Sequence, residues 1–251
     1  MKLDLHGRTA LVTGGAHGVG AAIVRALAAE GAAVAINYHR SATEADALAA
    51  EIAAAGGRVR AFRADVGDRE AVDAMVGDVV AQFGSIDIVV NNAGVARRQR
   101  FHETTSADWS AHIAAGLLGP VHTAHAALPH MMARNWGRLI AFAGDSSRVG
   151  EAGLALAAAA RAGAIALMKS LAKEYGRYHV TANAISLGLV ETTHIDPAWL
   201  AENREKILRN YPIRRLGAPE DVSPLVTLLA SDSGAWITGQ VISVNGGFSM
   251  V

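Results

Sequence analysis

Short apolar runs alternate with longer Ala-rich segments along this 251-residue chain, and no other feature limits its possible folds as strongly. The short runs are rich in Val, Ile and Leu and fall at residues 9–13, 33–38, 58–64, 86–90, 138–142, 181–186 and 241–244. Helical patterns lie between them at 18–30, 43–55, 68–83, 106–133, 153–178 and 219–230. Runs that are apolar on both faces are typical of parallel strands covered by helices. We therefore expect an α/β Rossmann fold, a doubly wound parallel sheet of about seven strands.

No linker, repeat or low-complexity tract divides the chain, so we expect one domain over residues 1–251. The least regular stretch, 190–215, is charged and helix-prone. In doubly wound sheets, ligands bind beyond the carboxyl ends of the strands. We therefore expect residues 190–215 to form a substrate lid over that edge.

Charge and composition exclude several classes of protein. Lys plus Arg equals Asp plus Glu at 23 each, which argues against nucleic acid or an anionic membrane as partner. The chain has no cysteine, so disulfides, a thiol nucleophile and Cys-ligated metals are excluded. The first residues lack the apolar core of a signal peptide, and Arg161 interrupts the most apolar stretch, so we expect a cytoplasmic protein. His122, His125 and His130 lack a suitably spaced carboxylate, and we expect no metal site.

A glycine-rich turn follows the first apolar run and leads into a helical pattern. Glycines at such a turn let the main chain approach a pyrophosphate and let the helix lie close to the sheet. The order of strand, turn and helix favours dinucleotide binding over an ordinary turn. The residues expected to contact the cofactor here are Gly14, His17, Gly18, Val19 and Gly20.

The segment after the second run indicates which dinucleotide binds. An acidic residue there would accept hydrogen bonds from a free ribose diol and repel a 2′-phosphate. This chain has no acid at that place, and Arg40 and Ser41 could hold a phosphate instead. A solvated turn is the alternative interpretation. We expect NADP(H), bound with the help of Asn37, Tyr38, His39, Arg40 and Ser41.

Several motifs in chain order resemble the short-chain dehydrogenase/reductase family. They are Thr13-Gly14-x-x-x-Gly18-x-Gly20, Asp65-Val66, Asn91-Asn92-Ala93-Gly94, Arg214-Arg215-Leu216-Gly217-x-Pro219-Glu220-Asp221-Val222 and Trp236-Ile237-Thr238-Gly239-Gln240 with Val244-Asn245-Gly246-Gly247. The resemblance covers the whole chain. It implies that Asp65 and Val66 flank the adenine, and that Asn91, Ala93 and Gly94 line the ribose and nicotinamide. It also implies cofactor contacts at Gly188, Val190 and Thr192.

The positions that carry the family's chemistry hold other residues in this chain. Members of the family use a Tyr, a Lys four residues later, a Ser on the fifth strand and an Asn in the fourth long helix. The resemblance places these positions at Ala157, Arg161, Gly144 and Gly116. Alanine and glycine carry no proton to transfer, and Arg161 can hold a ribose without shuttling protons. No tyrosine of the chain is followed by Lys four residues later, so a shifted register does not restore the motif.

Other polar residues near the vacated positions are candidates for altered chemistry. Asp145 and Ser146 follow Gly144, and a raised pKa would let Asp145 act as an acid or base. His112 lies one helical turn before Gly116, and His194 belongs to the lid. A turn-capping role for Asp145 and a core or interface role for His112 are the alternatives.

Three functions remain open from the sequence. One is an atypical enzyme that acts on a bulky small metabolite by redox or non-redox chemistry. Another is a catalytically silent NADP(H)-binding sensor or scaffold. The third is an ordinary NADPH-dependent ketoreductase whose motif is aligned differently. By resemblance we expect a homotetramer, formed through the long helices and the last strand.

Overall fold

A seven-stranded parallel sheet forms the centre of the molecule. The computed structural model describes residues 3–95, 97–192 and 195–251. The strand order is β3-β2-β1-β4-β5-β6-β7, so the topological switch point of this parallel sheet lies between β1 and β4. This confirms the predicted doubly wound Rossmann sheet. The strands are β1 Thr9–Val12, β2 Ala33–Tyr38, β3 Val59–Arg63, β4 Ile88–Asn91, β5 Gly137–Gly144, β6 Val180–Leu187 and β7 Val241–Val244.

Helices cover both faces of the sheet. Leu11 and Val12, adjacent on β1, are fully buried in two different apolar clusters because successive strand residues point to opposite faces. One cluster includes residues of α1, α2 and α9, and the other includes residues of α3, α5 and α7. The helices are α1 Gly18–Ala29, α2 Ala42–Ala54, α3 Arg69–Phe83, α4 Ser106–Ile113, α5 Gly119–Arg134, α6 Ser146–Val149, α7 Ala155–Tyr175, α8 Pro197–Leu208 and α9 Pro219–Ala230.

The long helix predicted over residues 106–133 is divided into three parts. A π-helical turn, Ala114–Leu118, separates α4 from α5. Its Gly116 lies against α7, where a Cβ on Gly116 would be 3.0 Å from the Cβ of Ala160. Single π-turns inside helices are frequent at functional sites and shift the faces of the residues around them. The regular pattern of the sequence did not reveal this turn.

Helix α7 is the most apolar long element of the described chain. The segment Ala155–Tyr178 is long and apolar enough to cross a membrane by length and composition alone. In the structure, however, its Ala164, Met168 and Leu171 are buried in the cluster on one sheet face. The packing identifies α7 as a core helix of this α/β fold.

Candidate functional site

The predicted ligand-binding segments meet at the carboxyl edge of the sheet, where β1, β2, β4, β5 and β6 end. Two of the recesses along this edge contain the predicted site residues. The first, called here the glycine-loop groove, has a volume of about 490 Å³ and lies among Gly14, His17, Arg40, Asp65 and Gly94. The second, called here the Gly144 pocket, has a volume of about 440 Å³ and lies among Gly144, Ala157, Arg161, Trp199 and Tyr211.

Hydrogen bonds from the end of β4 hold the glycine loop in place. The Nδ2 of Asn92 donates to the main-chain oxygens of Thr13 and Gly14, each over 3.0 Å. The main-chain nitrogens of Asn92 and Ala93 donate to Oγ1 of Thr13. A Cβ on Gly20 would collide with the Gly14 oxygen, so α1 can begin this close to the loop only with glycine there. Thr13 and Asn92 belong to the family motifs of the sequence, but the motifs do not reveal that these two residues hold the glycine loop in place.

Two predicted cofactor contacts support the groove from below. Asn37 is buried, and its Oδ1 accepts from the Gly14 nitrogen over 3.3 Å while its Nδ2 donates to the Ala64 oxygen over 3.1 Å. Asn91 is also buried, and its Oδ1 accepts from Oγ1 of Thr123 over 2.8 Å. These bonds give both side chains a bracing role, and the Nδ2 of Asn91 has no hydrogen-bond partner among the described residues.

Polar side chains gather at the end of the groove beyond β2. Tyr38, His39, Arg40 and Ser41 line it together with His17, and Oγ of Ser41 lies 3.3 Å from Nε2 of His17. Arg40 is exposed and makes no ion pair with any described acidic residue, so its guanidinium is available to a ligand. A phosphate could be bound here through charge and hydroxyl contacts.

The two residues predicted to flank the adenine differ in exposure. Asp65 lines the groove, and its Oδ2 is 3.8 Å from Nδ1 of His39. Val66 is buried, and its main-chain oxygen lies 3.0 Å from Nδ1 of His122. His122 is therefore occupied by a structural contact.

The described part of the segment predicted to be a lid, residues 190–192 and 195–215, borders the Gly144 pocket. Its Thr192 approaches the glycine loop, with Cγ2 3.4 Å from where a Cβ on Gly18 would lie. Val190 pairs with Gly217 in a parallel bridge that anchors the start of the lid. Helix α8 then carries Trp199 to the wall of the Gly144 pocket. His194, a predicted catalytic residue, lies outside the described residues.

The positions implied for the family's Ser and Tyr both border the Gly144 pocket. Gly144 ends β5, and Ala157 lies in the first turn of α7. Oγ of Ser146 lies 3.2 Å from the point that a Cβ on Gly144 would occupy. A hydroxyl group is therefore present near the missing serine side chain, whereas no phenol replaces the missing tyrosine on α7.

Asp145 borders the same pocket, but its carboxylate is held by neighbouring side chains. Its Oδ1 accepts from Oγ of Ser186 over 2.6 Å, and its Oδ2 accepts from Nδ2 of Asn245 over 2.6 Å. The residue is 2% exposed. The arrangement is that of a carboxylate joining β5, β6 and the segment after β7, and it gives little support to the predicted acid or base role.

His112 does not line the Gly144 pocket, and its burial fits the alternative of a core role. It is buried and lines a separate small recess with Arg97 and Gln99. Its Nδ1 has no hydrogen-bond partner among the described residues. Burial lowers the pKa of His112, and the positive charge of Arg161 lowers it further. Gly116 itself belongs to the π-turn and lies against Ala160 of α7, whereas His112 precedes the turn and borders this separate recess.

Arg161 lies where the two recesses meet. Its Nη1 donates to the Phe142 oxygen over 2.7 Å, and a Cβ on Gly94 would collide with its Nη2. The side chain is half-buried at the pocket wall, and burial lowers the pKa of Arg161. No described Asp or Glu lies within ion-pair distance of it. A positive charge without a counterion therefore stands between the groove and the pocket.

Tyr211 brings a phenol to the pocket that the sequence did not predict there. Its hydroxyl accepts a hydrogen bond from the Leu189 nitrogen over 2.7 Å, and its ring lies 5.2 Å from that of Phe248. Burial raises the pKa of Tyr211. The residue follows α8 and no local spacing relates it to Arg161, so only the tertiary fold reveals its position.

The sheet order and the glycine turn after β1 define a protein with the Rossmann fold, the class in which dinucleotides bind at this edge. A family model described as enoyl-(acyl carrier protein) reductase matches residues 14–249. The 3-oxoacyl-[acyl-carrier-protein] reductase FabG of Staphylococcus aureus is 38% identical over 243 residues, covering 97% of this chain and 98% of that protein. The 3-oxoacyl-[acyl-carrier-protein] reductase of Synechocystis sp. is 38% identical over 247 residues, covering 98% of each.

Solved structures show the same relationship. A putative short-chain alcohol dehydrogenase from Sinorhizobium meliloti 1021 superimposes with a TM-score of 0.94 at 31% identity, covering 99% of this chain and 98% of that one. A putative gluconate dehydrogenase from Agrobacterium tumefaciens superimposes with a TM-score of 0.94 at 28% identity, covering 100% of both chains. The chain belongs to the short-chain dehydrogenase/reductase family of oxidoreductases.

Proposed function

We propose that the protein binds NADP(H) and acts on a bulky small metabolite without the family's serine, tyrosine and lysine. The observation that carries this proposal is the Gly144 pocket itself. Gly144 and Ala157 border it without offering a proton donor, yet the pocket remains open and adjoins the glycine-loop groove at Gly94 and Arg161. A protein that no longer bound any ligand would not need a groove and a pocket that adjoin each other.

The residues of the groove fit NADP(H). The Gly14–Gly20 turn exposes main chain at the start of α1, where a pyrophosphate would bind. Arg40 and Ser41 would hold the 2′-phosphate, and Arg161 would donate hydrogen bonds to the nicotinamide ribose. When bound, the nicotinamide can give or accept a hydride. The carboxylate nearest the 2′ position, Asp65, follows β3 rather than β2, which favours NADP(H) over NAD(H).

Ordinary ketone reduction should be slow in this pocket. A positioned acid or base contributes ~10²–10⁴ in rate, and an oriented donor to the substrate oxygen contributes ~10²–10³. The relatives are named for reduction of 3-oxoacyl thioesters, which needs a proton for the substrate oxygen. Because Ser146 and Tyr211 place hydroxyls at the pocket wall, we rank them above Asp145 as replacement donors.

A catalytically silent NADP(H)-binding sensor is the second candidate. It is favoured by the bonding of Asp145, whose two oxygens are engaged by Ser186 and Asn245, and by the separate location of His112. Few groups then remain to move protons. In either case we expect a cytoplasmic homotetramer that binds a small molecule.

Mass spectrometry of ligands that co-purify with the protein, combined with NADPH oxidation assays, tests the proposal. The assay panel should include ordinary ketones and a 3-oxoacyl thioester. We expect NADPH binding, negligible turnover of the panel and a retained small molecule. Brisk reduction of the panel would identify an ordinary ketoreductase. NADPH binding without conversion of the retained molecule would favour the sensor.

A further inference from the structure

The charge of Arg161 is not balanced by the chain itself. The side chain is half-buried at the pocket wall, and its one described hydrogen bond is to the neutral oxygen of Phe142. No acidic neighbour offsets the lowering of its pKa by burial. A partly desolvated cation without a counterion is unfavourable. A fold that keeps one at a pocket wall indicates that an anion arrives from outside.

The other charged groups of the Gly144 pocket do not supply that anion. Glu151 pairs with Arg98 at the mouth. Asp145 turns its oxygens to Ser186 and Asn245 instead. Lys206, exposed on α8 at the mouth, adds a second positive charge. Arg161 therefore has no acidic partner in the pocket, because the carboxylates of Glu151 and Asp145 already have partners of their own.

We propose that the Gly144 pocket binds an apolar carboxylic acid whose carboxylate pairs with the guanidinium of Arg161. This deepens the proposed function, on which it rests, by naming the substrate class. A guanidinium has five N–H donors, and Phe142 takes one. A carboxylate takes two in a planar, bidentate pair, which leaves two for the nicotinamide ribose.

The remaining wall matches the apolar part of such an acid. Leu154, Ala157, Leu187, Trp199 and Phe248 face the pocket, whose volume of about 440 Å³ suits a small ring-containing molecule. A phosphate would bring a second negative charge to an inner wall whose one cation is Arg161. A neutral ligand would leave that cation unpaired. The carboxylate is therefore the group that the pocket recognises best.

Isothermal titration of the full chain, with and without saturating NADPH, tests this proposal. The probes are benzoate, cyclohexanecarboxylate and naphthoate, each paired with the primary amide of the same shape. In the wild type we expect the acids to bind roughly tenfold or more tightly than their amides, as for a charge-assisted pair. Arg161→Met, similar in length but neutral, should erase this preference. Arg161→Lys should retain it, and the control Lys206→Met at the mouth should retain it as well.

A second measurement does not depend on any variant. The acids should raise the unfolding temperature of the wild type more than the amides do. Equal affinity for acids and amides, absence of acid binding at millimolar concentration, or an unchanged preference in folded Arg161→Met would overturn the proposal. A wild type that binds the acids but not NADPH would contradict the proposed function and leave this inference intact.

Discussion

Asn245 reaches across β6 to donate a hydrogen bond, over 2.6 Å, to the buried carboxylate of Asp145. The strand register explains how they meet. Gly144, Leu187 and Val244 are aligned across β5, β6 and β7, so Asp145, Gly188 and Asn245 follow one residue later. Gly188 has no side chain, and a Cβ there would lie 3.0 Å from the Asn245 Cα. The glycine thus permits the contact over its main chain.

Asn245→Ala should lower the free energy of unfolding by about 1–3 kcal/mol, because it removes a partner of a buried carboxylate. Urea denaturation followed by circular dichroism measures the change. Gln240→Ala removes an exposed amide on the preceding segment and serves as the matched control, with little expected effect. Equal stability of the two variants would show that the bond to Asp145 does not stabilise the fold.

Arg40→Ala should weaken NADPH binding while leaving NADH binding nearly unchanged. The guanidinium is exposed beside Ser41 in the glycine-loop groove, where it would pair with the 2′-phosphate. Fluorescence titration of both dinucleotides measures the two affinities. Arg63→Ala provides a control, since this arginine ends β3 and its Nε donates a hydrogen bond to the main-chain oxygen of His39. Wild-type protein with equal affinity for NADPH and NADH would refute the assignment.

Arg161→Met should make the protein without ligands more stable, by up to about 1 kcal/mol, because a half-buried and unpaired charge is replaced by an apolar chain. For a domain of this size each kcal/mol corresponds to a rise of roughly 2–4 °C in unfolding temperature. Differential scanning calorimetry measures the shift. A clear fall in stability would mean that Arg161 has a structural partner in solution.

His112 should make the fold sensitive to acid. Burial lowers its pKa below the ordinary value of 6.5, so the unfolded chain binds a proton at higher pH than the folded chain does. Its contribution is therefore complete above pH 6.5 and is lost as the pH falls through the lowered pKa. His112→Gln should lose less stability than the wild type between neutral and acidic pH. Parallel pH profiles of the two proteins would contradict this.

Combining Gly144→Ser, Ala157→Tyr and Arg161→Lys should produce trace NADPH-dependent ketone reduction. A Cβ on Gly144 has Ser146 Oγ at 3.2 Å, which a hydroxyl rotation can relieve, and Ala157 faces open space in the pocket. NADPH absorbance decay with a ketone panel measures the gain, and the variant with Ala157→Phe serves as the control. Equal rates in the Tyr and Phe variants would exclude the phenol as the donor.

The sequence predicted the sheet well and placed the glycine turn at its carboxyl edge, because hydrophobic period and glycine spacing are local signals. It placed Asp145 at the pocket but could not show that Ser186 and Asn245 hold it, since Asn245 is 100 residues away in the chain. It related His112 to Gly116 by helix spacing, which could not show that His112 borders a recess apart from the Gly144 pocket. Tyr211 and the unpaired charge of Arg161 depend on tertiary enclosure, for which no sequence spacing is diagnostic.

The close contact between Gly116 and Ala160 hinders the return of the asparagine that the family's usual chemistry uses at residue 116. A Cβ on residue 116 would lie 3.0 Å from the Cβ of Ala160, so α7 would have to give by a few tenths of an ångström to admit an asparagine. Alanine at 160 cannot shrink further without becoming glycine in the interior of a helix. Serine, tyrosine and lysine can each be reinstated by exchanging one residue, whereas the asparagine also needs this adjustment between the π-turn and α7. A directed-evolution lineage starting from this chain would therefore regain partial activity early and acquire asparagine at residue 116 last.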